Sequence, residues 1–243
     1  MGQTSYTLDR KIDVEPVSIE TTASGSFVLR NQYLQAIFDD KGHLINLFDR
    51  AQERELVPEG RRGNVFQLYE DIGHSIENGS VQVGQNIIPR DALCIFITDF
   101  LTARSTYFYI QILEEGPLRA SLRVTKQITE NSSVTQVIVL TAVSKRIDFE
   151  TEAEWHENRQ FLATYEIQFG ALTRPTHYNT TLDSAKFEVC GHKFADLSEA
   201  SYGVALLNDC KYGYATHDNV QRLSLLRAPK VCYQDCPCIV AFR

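Results

Sequence analysis

The chain has 243 residues, of which 43% are hydrophobic and 23% charged, and its 31 Asp and Glu outnumber 24 Lys and Arg to give a formal net charge of −7. This composition excludes intrinsic disorder and suits one large all-β domain or two smaller ones. No segment approaches the ~18 continuous apolar residues of a membrane-spanning helix, and the first residues lack the apolar core of a secretory signal, so we expect no membrane partner and a cytoplasmic location. The acidic balance, without a basic stripe, predicts no nucleic-acid partner either.

Apolar and polar residues alternate with a period of two along much of the chain, which is typical of half-buried strands. In chain order the clearest runs are 33–38, 44–48, 107–112, 118–126, 134–140 and 146–156. Turn-forming segments at 39–42, 115–117 and 131–133 separate them. With one helical signal, a turn at 196–199, the pattern predicts an all-β fold of antiparallel sheets with few or no helices.

Two of these runs carry specific expectations about burial. In run 118–126 the alternation places Leu118, Ala120, Leu122 and Val124 inward. Run 134–140 is apolar nearly throughout, which predicts a strand buried on both faces.

Motifs for the common catalytic and metal sites are missing from the sequence. Its six histidines form no HxH, HxD or HExxH pattern, and there is no nucleophile elbow, dinucleotide fingerprint or P-loop. We therefore expect no catalytic residue and no metal ligand in this chain. Glu150, Glu152 and Glu154 share one strand face, where a carboxylate pair is conceivable, but a solvated face is the commoner outcome.

One segment concentrates directional hydrogen-bonding groups. Within ten residues it carries the guanidinium, imidazole, phenol, amide and carboxylate of Arg174, His177, Tyr178, Asn179 and Asp183. Sugars are held by such an inventory. A polar surface loop whose groups satisfy one another is the alternative, and composition alone favours that alternative.

Several ordered motifs make the sequence familiar. They include YEIQFG at 165–170, RPTHYNT at 174–180, ADLSE at 195–199, YGVALLNDCKYGY at 202–214, RLSLLRAPK at 222–230 and FQLYED at 66–71. Together they closely resemble the C-terminal β-domain of cytosolic and vacuolar-type α-mannosidases of glycoside hydrolase family 38. The resemblance covers roughly residues 17–230.

This resemblance implies a β-supersandwich similar to the galactose-mutarotase fold. It also implies that the nucleophile, the acid/base and the zinc site belong to an N-terminal barrel that is missing here, so the chain alone is predicted to be inactive and to hold no cofactor. By position, the residues implied to contact a mannose-containing oligosaccharide are Tyr69, Asp71, Arg174, His177, Tyr178, Asn179 and Asp183. The expected partner is the catalytic barrel, in cis or as a separate chain.

Two alternatives stay open: a carbohydrate-binding or pseudoenzyme module, and an interaction subunit that complements a separate catalytic chain or forms a homo-oligomer. The predicted organisation is a tail of an upstream region at 1–22, the β-domain at 23–231 and a divergent cysteine-rich tail at 232–243. The resemblance further implies that an internal strand is missing near 162–164.

Overall fold

The computed structural model describes residues 14–70, 76–77, 80–83, 86–89, 108–156, 160–168, 172–173, 189–217, 219–228 and 238–242. Within these ranges every regular element is a β-strand and every strand pairing is antiparallel. The predicted all-β antiparallel fold is therefore confirmed. The described residues contain no helix long and apolar enough to cross a membrane.

The strands follow one another in chain order. The first nine are β1 (Ser18–Thr21), β2 (Phe27–Arg30), β3 (Leu34–Phe38), β4 (Leu44–Asp49), β5 (Arg54–Glu55), β6 (Gln67–Glu70), β7 (Ile76–Glu77), β8 (Ser80–Val83) and β9 (Asn86–Pro89). The next six are β10 (Phe108–Glu115), β11 (Arg119–Gln127), β12 (Ser133–Thr141), β13 (Ile147–Trp155), β14 (Gln160–Gln168) and β15 (Leu172–Thr173). The last six are β16 (Val189–Cys190), β17 (Phe194–Glu199), β18 (Tyr202–Leu207), β19 (Gly213–His217), β20 (Val220–Ala228) and β21 (Cys238–Phe242).

The described strands form five sheets. Their strand orders are β1-β2-β3-β4-β5, β10-β11-β12-β13-β21, β16-β19-β20-β14-β6, β15-β17-β18 and β7-β8-β9. Both ends of the chain contribute to the larger sheets: β1 pairs with β2, and β21 pairs with the second half of β13. The third sheet brings together strands that are far apart in sequence, because β14 lies between β6 and β20.

A tight hairpin joins β3 to β4 and packs its tip against the second sheet. Gly42 has a φ of +72°, and its N–H donates to the carbonyl of Asp39 at 3.0 Å. A Cβ at this position would lie 2.6 Å from a methyl carbon of Val124. Glycine is required here both by the backbone conformation and by the close approach of β11.

Two apolar clusters form the described core. The first lies between the first two sheets, where Leu29, Phe38, Leu122 and Ile138 are fully buried. The second joins the third sheet to the far end of the second sheet, and its members are Phe66, Leu68, Ile128, Val134, Ala153, Trp155, Ala195, Leu206, Tyr214, Leu223 and Leu225. Phe149 of β13 packs against both clusters and therefore connects them.

Three local expectations differ from the structure. Leu118 is 74% exposed rather than inward, because it lies in the turn before β11 begins, while Ala120 and Leu122 are buried as predicted. The helical signal at 196–199 is wrong: these residues lie in β17, since Leu197 is fully buried and pairs with Val204 of β18. On β12, burial is complete on one face and partial on the other, where Val137 is partly exposed.

The strand that spans the predicted site of a missing segment is irregular. β14 is continuous from Gln160 to Gln168, but its register against β20 shifts between Leu162 and Ala163 and again between Thr164 and Ile167. Such shifts mark extra or unpaired residues that bend a strand locally. The pairing of β14 with β6 ends at Ala163, at the same irregularity.

Candidate functional site

Most of the residues that the sequence assigns to sugar binding lie outside the described residues. These are Asp71, Arg174, His177, Tyr178, Asn179 and Asp183. The backbone of Tyr69 is described: it lies in β6 and pairs with Phe161 of β14. β6 ends one residue before Asp71, and β15 ends one residue before Arg174. The contacts predicted for this set therefore stay predictions.

The described residues do form a cleft, of about 430 Å³, between the two apolar clusters. Six leucines from the first and third sheets and the segment after β5 supply much of its apolar lining: Leu34, Leu44, Leu47, Leu56, Leu223 and Leu225. Residues 145–149 and 202–208 border it as continuous stretches of chain. An apolar concavity with a few polar groups is the usual form of a binding site.

A buried carboxyl group and a phenol meet in the wall of the cleft. Asp49, at the end of β4, is 5% exposed, and one of its oxygens accepts N–H bonds from Ala51 at 2.9 Å and Gln52 at 3.0 Å. The hydroxyl of Tyr202 donates to its other oxygen at 3.0 Å. Because both oxygens of Asp49 are engaged, this carboxyl group is fixed in position and ties β4 to β18.

The side chain of Arg54 lies over the ring of Tyr202, with its guanidinium carbon 4.7 Å from the ring centre, and also pairs with Glu199. Burial, with the hydrogen bond to Asp49 second, raises the pKa of Tyr202 to about 12. Its hydroxyl is therefore protonated at neutral pH and acts as a hydrogen-bond donor. These contacts hold the wall of the cleft in place.

We expect Tyr202→Phe to lower the free energy of unfolding by about 1–2 kcal/mol, because a buried oxygen of Asp49 loses its donor. Urea denaturation followed by circular dichroism measures this change. Tyr109→Phe is the matched control, since Tyr109 is 47% exposed on β10 and its loss should cost no more than a few tenths of a kcal/mol. Equal stability of the two variants would contradict the role given to the Tyr202 hydroxyl.

Charged side chains are among the residues that line the cleft. Lys145, Arg146 and Lys211 supply cations, and Asn208 adds an amide. Arg146 forms an ion pair with Asp148 at 2.7 Å, and the ammonium of Lys145 lies 5.5 Å from the ring centre of Tyr33. The described lining also includes two carboxyl groups, those of Asp49 and Asp148.

A second polar group is buried away from the cleft. Lys126 is 3% exposed on β11, its ammonium lies 4.8 Å from the ring centre of Phe66, and no described residue accepts a hydrogen bond from it. Burial lowers the pKa of Lys126 to about 8, although the charge of Asp39 opposes this shift. Burial alone would raise the pKa of Asp39, but hydrogen bonds from His43 outweigh it and hold that pKa below its usual value.

Two further polar side chains, the amides of Asn64 and Gln136, are buried and bond to each other. The amide of Asn64 donates to the carbonyl of Gly42 at 2.9 Å and to the side-chain oxygen of Gln136 at 2.6 Å. Gln136 in turn donates to the hydroxyl of Thr151 at 3.1 Å. The sequence-based interpretation missed both Lys126 and Gln136. Both lie at even-numbered positions, as do the inward residues of their strands, and this alternation is the signal that could have identified them.

Two of the three glutamates on β13 lie on a solvated face, as expected, whereas Glu150 is half-buried. Glu152 and Glu154 are exposed on the face opposite the buried Thr151 and Ala153. Glu154 lies 3.4 Å from the imidazole of His156. Among the described side chains, no three His, Cys, Asp or Glu residues come together as a metal site.

Comparison with known proteins identifies the family to which this all-β domain belongs. The family model described as the glycosyl hydrolases family 38 C-terminal domain matches residues 29–232. The chain is 39% identical to Alpha-mannosidase 2C1 of Homo sapiens over 228 residues, and 36% identical to Alpha-mannosidase G of Dictyostelium discoideum over 247 residues. These alignments cover 89% and 92% of this chain and 21% of each relative.

Solved structures show the same fold. An α-mannosidase from Enterococcus faecalis V583 matches with a TM-score of 0.63 at 14% identity, over 88% of this chain and 28% of that one. A family 38 protein from Enterococcus faecalis matches with a TM-score of 0.61, also at 14% identity, over 88% of this chain and 29% of that one. The fold class is thus that of a β-domain found in larger glycosidases. The chain belongs to glycosyl hydrolase family 38 and corresponds to the C-terminal domain of the proteins in that family. It spans about a fifth of the length of the curated relatives it matches.

Proposed function

We propose that this chain is the non-catalytic β-domain of an α-mannosidase and acts together with a catalytic part of that enzyme on terminal α-D-mannosides. The observation that supports the proposal is the family match over residues 29–232, together with relatives that are named α-mannosidases. Glycoside hydrolysis generally needs two carboxyl groups flanking the scissile bond. No pair of described carboxyl groups lines the cleft free of other partners, since Asp49 is held by Tyr202 and Asp148 by Arg146.

The role we assign to the domain is to complete the rim of the substrate site. Tyr69, at the end of β6, and Asp71 right after it would contact the mannoside together with the loop that contains Arg174, His177 and Asp183. Support comes from the mixture of planar, cationic and amide side chains in that loop, which suits recognition of sugar hydroxyls. The cytoplasmic location stays a prediction.

Zinc, implied by the family resemblance, does not fit the described residues. In the stretches that the structure describes, no three side chains of the zinc-binding types form a cluster. No step of the proposed function therefore runs through a metal held by those residues. A metal bound by the catalytic part of the enzyme stays part of the proposal.

An activity assay tests the non-catalytic role. The purified chain is expected to release no p-nitrophenol from p-nitrophenyl α-mannoside above the buffer rate, with or without added zinc, while full-length human Alpha-mannosidase 2C1 serves as the active control. Zinc-dependent turnover by the chain alone would refute the proposal.

An NMR titration with mannobiose on the same sample tests the rim. The expected result is weak, saturable binding that Arg174→Ala abolishes and Arg119→Ala, an exposed position on β11, leaves unchanged. Binding that is insensitive to Arg174→Ala would remove that loop from the rim.

A further inference from the structure

The sheet of β15, β17 and β18 has an outer face with a regular pattern. On β17 the odd-numbered positions 195 and 197 are buried, and the even-numbered positions between 194 and 198 are partly or fully exposed. On β18 the exposed positions are 203, 205 and 207. The register of the two strands places the outward residues in three directly opposed pairs: Phe194 and Leu207, Asp196 and Ala205, Ser198 and Gly203.

One end of this outer face is apolar and the other is polar. Phe194 is 50% exposed and Leu207 55%, and residues directly opposed across two strands have Cβ atoms ~4.5–5.5 Å apart, so the two side chains form one apolar surface. Asp196 follows on the same face, ~6.5–7 Å further along β17. Its Oδ2 accepts a hydrogen bond from the hydroxyl of Ser198 at 3.1 Å.

Small residues leave the polar end of the face open. A Cβ at Gly203 would lie 2.8 Å from the Cβ of Ser198 and 3.4 Å from Oδ1 of Asp196, so glycine keeps the space next to this pair clear. Among the described residues, Ser198 is the one hydrogen-bond partner of the Asp196 carboxyl group. The Oδ1 atom therefore keeps its capacity to accept hydrogen bonds.

This combination of groups favours one class of ligand. A protein surface laid on the face, including a further part of the same enzyme, would bury the carboxylate of Asp196, and charged groups are depleted at the centres of protein interfaces because their burial is costly. A sugar has the complementary chemistry, since its hydroxyls donate to a carboxylate while its apolar C–H face lies against an aromatic ring.

The backbone places this face next to the segment assigned to the substrate rim. Thr173 of β15 pairs with Asp196, and β15 ends one residue before Arg174. The chain therefore enters the segment 174–183 beside Asp196. Neither Phe194 nor Asp196 is among the residues that line the cleft, so the outer face is a separate surface.

We propose that the outer face of β17 and β18 is a further sugar subsite of the substrate rim, in which Phe194 stacks against one hexose while Asp196 and Ser198 bind its hydroxyls. This subsite takes the next sugar of a mannose-containing oligosaccharide beyond those held by the segment 174–183. The class of ligand rests on the proposed function, whereas the subsite itself consists of described residues.

NMR titrations with mannobiose and with an α-linked mannotriose test the subsite. We expect the parent chain to bind mannotriose at least about fivefold more tightly than mannobiose. Phe194→Ala should remove this gain and Asp196→Asn should reduce it, with the affinity for mannobiose unchanged in both. Tyr109→Ala is the matched control: Tyr109 is a similarly exposed aromatic residue on β10, and its loss should leave the gain intact.

Two further results separate the subsite from a loss of folding. Mannotriose, but not mannobiose, should shift the backbone amides of 194–198 and 203–207. Phe194→Trp should keep the gain in affinity, because tryptophan also presents a flat aromatic face.

The outcomes distinguish this inference from the proposed function. Equal affinities for the two sugars, or a gain that survives Phe194→Ala, would overturn the subsite even where mannobiose binding and its loss in Arg174→Ala uphold the rim. Mannotriose binding that depends on Phe194, without any binding of mannobiose, would uphold the subsite and remove the segment 174–183 from the rim. Concentration-dependent shifts of the same amides without sugar, with a dimer in light scattering, would assign the face to a second copy and overturn the proposal.

Discussion

Asn31→Ala is expected to destabilise the domain by about 3–5 kcal/mol, because the side chain of Asn31 satisfies four backbone groups. Its amide donates to the carbonyls of Thr141 and Ser144, each at 2.7 Å. Its oxygen accepts the N–H groups of Tyr33 at 2.8 Å and Leu34 at 2.7 Å. Asn31 is fully buried, so alanine leaves these groups without partners.

The adjacent residue provides the control. Gln32 reaches the same turn with a single hydrogen bond, from its amide to the carbonyl of Ala142 at 3.3 Å. Gln32→Ala should therefore cost less than about 1 kcal/mol in the same urea denaturation. Similar losses for the two variants would show that the four bonds of Asn31, two of which reach Thr141 and Ser144, contribute no more than the single bond of Gln32.

Lys126→Met is expected to stabilise the domain by about 2 kcal/mol at pH 7. The pKa of Lys126 is about 8 in the folded chain, against an ordinary value of 10.5, because burial disfavours the ammonium. The difference corresponds to about 3 kcal/mol of lost stability when the amine is charged. Methionine removes this cost but also loses the contact of the cation with Phe66, which offsets about 1 kcal/mol.

The pH dependence has a definite sign. Since the pKa of a base is lower in the folded chain, the unfolded chain binds the proton more tightly between pH 8 and 10.5. The stability of the parent chain, relative to that of Lys126→Met, should be highest above pH 10.5, fall as the pH is lowered towards 8, and stay constant below 8. Taking the difference between the two proteins removes the contribution of other groups that titrate in this range.

Lys41→Met is the control for this experiment. Lys41 is exposed in the turn of the β3–β4 hairpin, close to the same Asp39, and its substitution should leave the slope between pH 8 and 10.5 unchanged. If Lys126→Met were less stable than the parent chain at pH 7, with no change in slope, Lys126 would have to be a charged residue with a stabilising partner.

The strands and their inward faces follow from local sequence. The alternation in run 146–156 identifies β13, and Thr151, Ala153 and Trp155 are buried on one face as it predicts. The turn at 39–42 is also predictable, because a positive φ in a tight hairpin favours glycine and Gly42 provides it. Where the prediction fails, at Leu118 and at 196–199, tertiary pairing determines where a strand begins and which residues extend.

The sequence also names a candidate site, whose geometry stays a prediction. Only the backbone of Tyr69 is described, and Asp71 and residues 174–183 lie outside the described residues. Conversely, no sequence motif indicates the cleft. Its lining residues come from four separate stretches, near 34–64, 145–149, 202–211 and 223–225. A site built from strands so far apart leaves no local spacing to find.

The sequence by itself determined the all-β class, through the period of its hydrophobic residues, and the family, through the order of its motifs. Only the tertiary structure decided that Asn31 would bond to Thr141, 110 residues away, and that Lys126 would be enclosed against Phe66. The physical reason is that alternation specifies which face of a strand is buried, whereas the neighbours of each strand depend on long-range pairing.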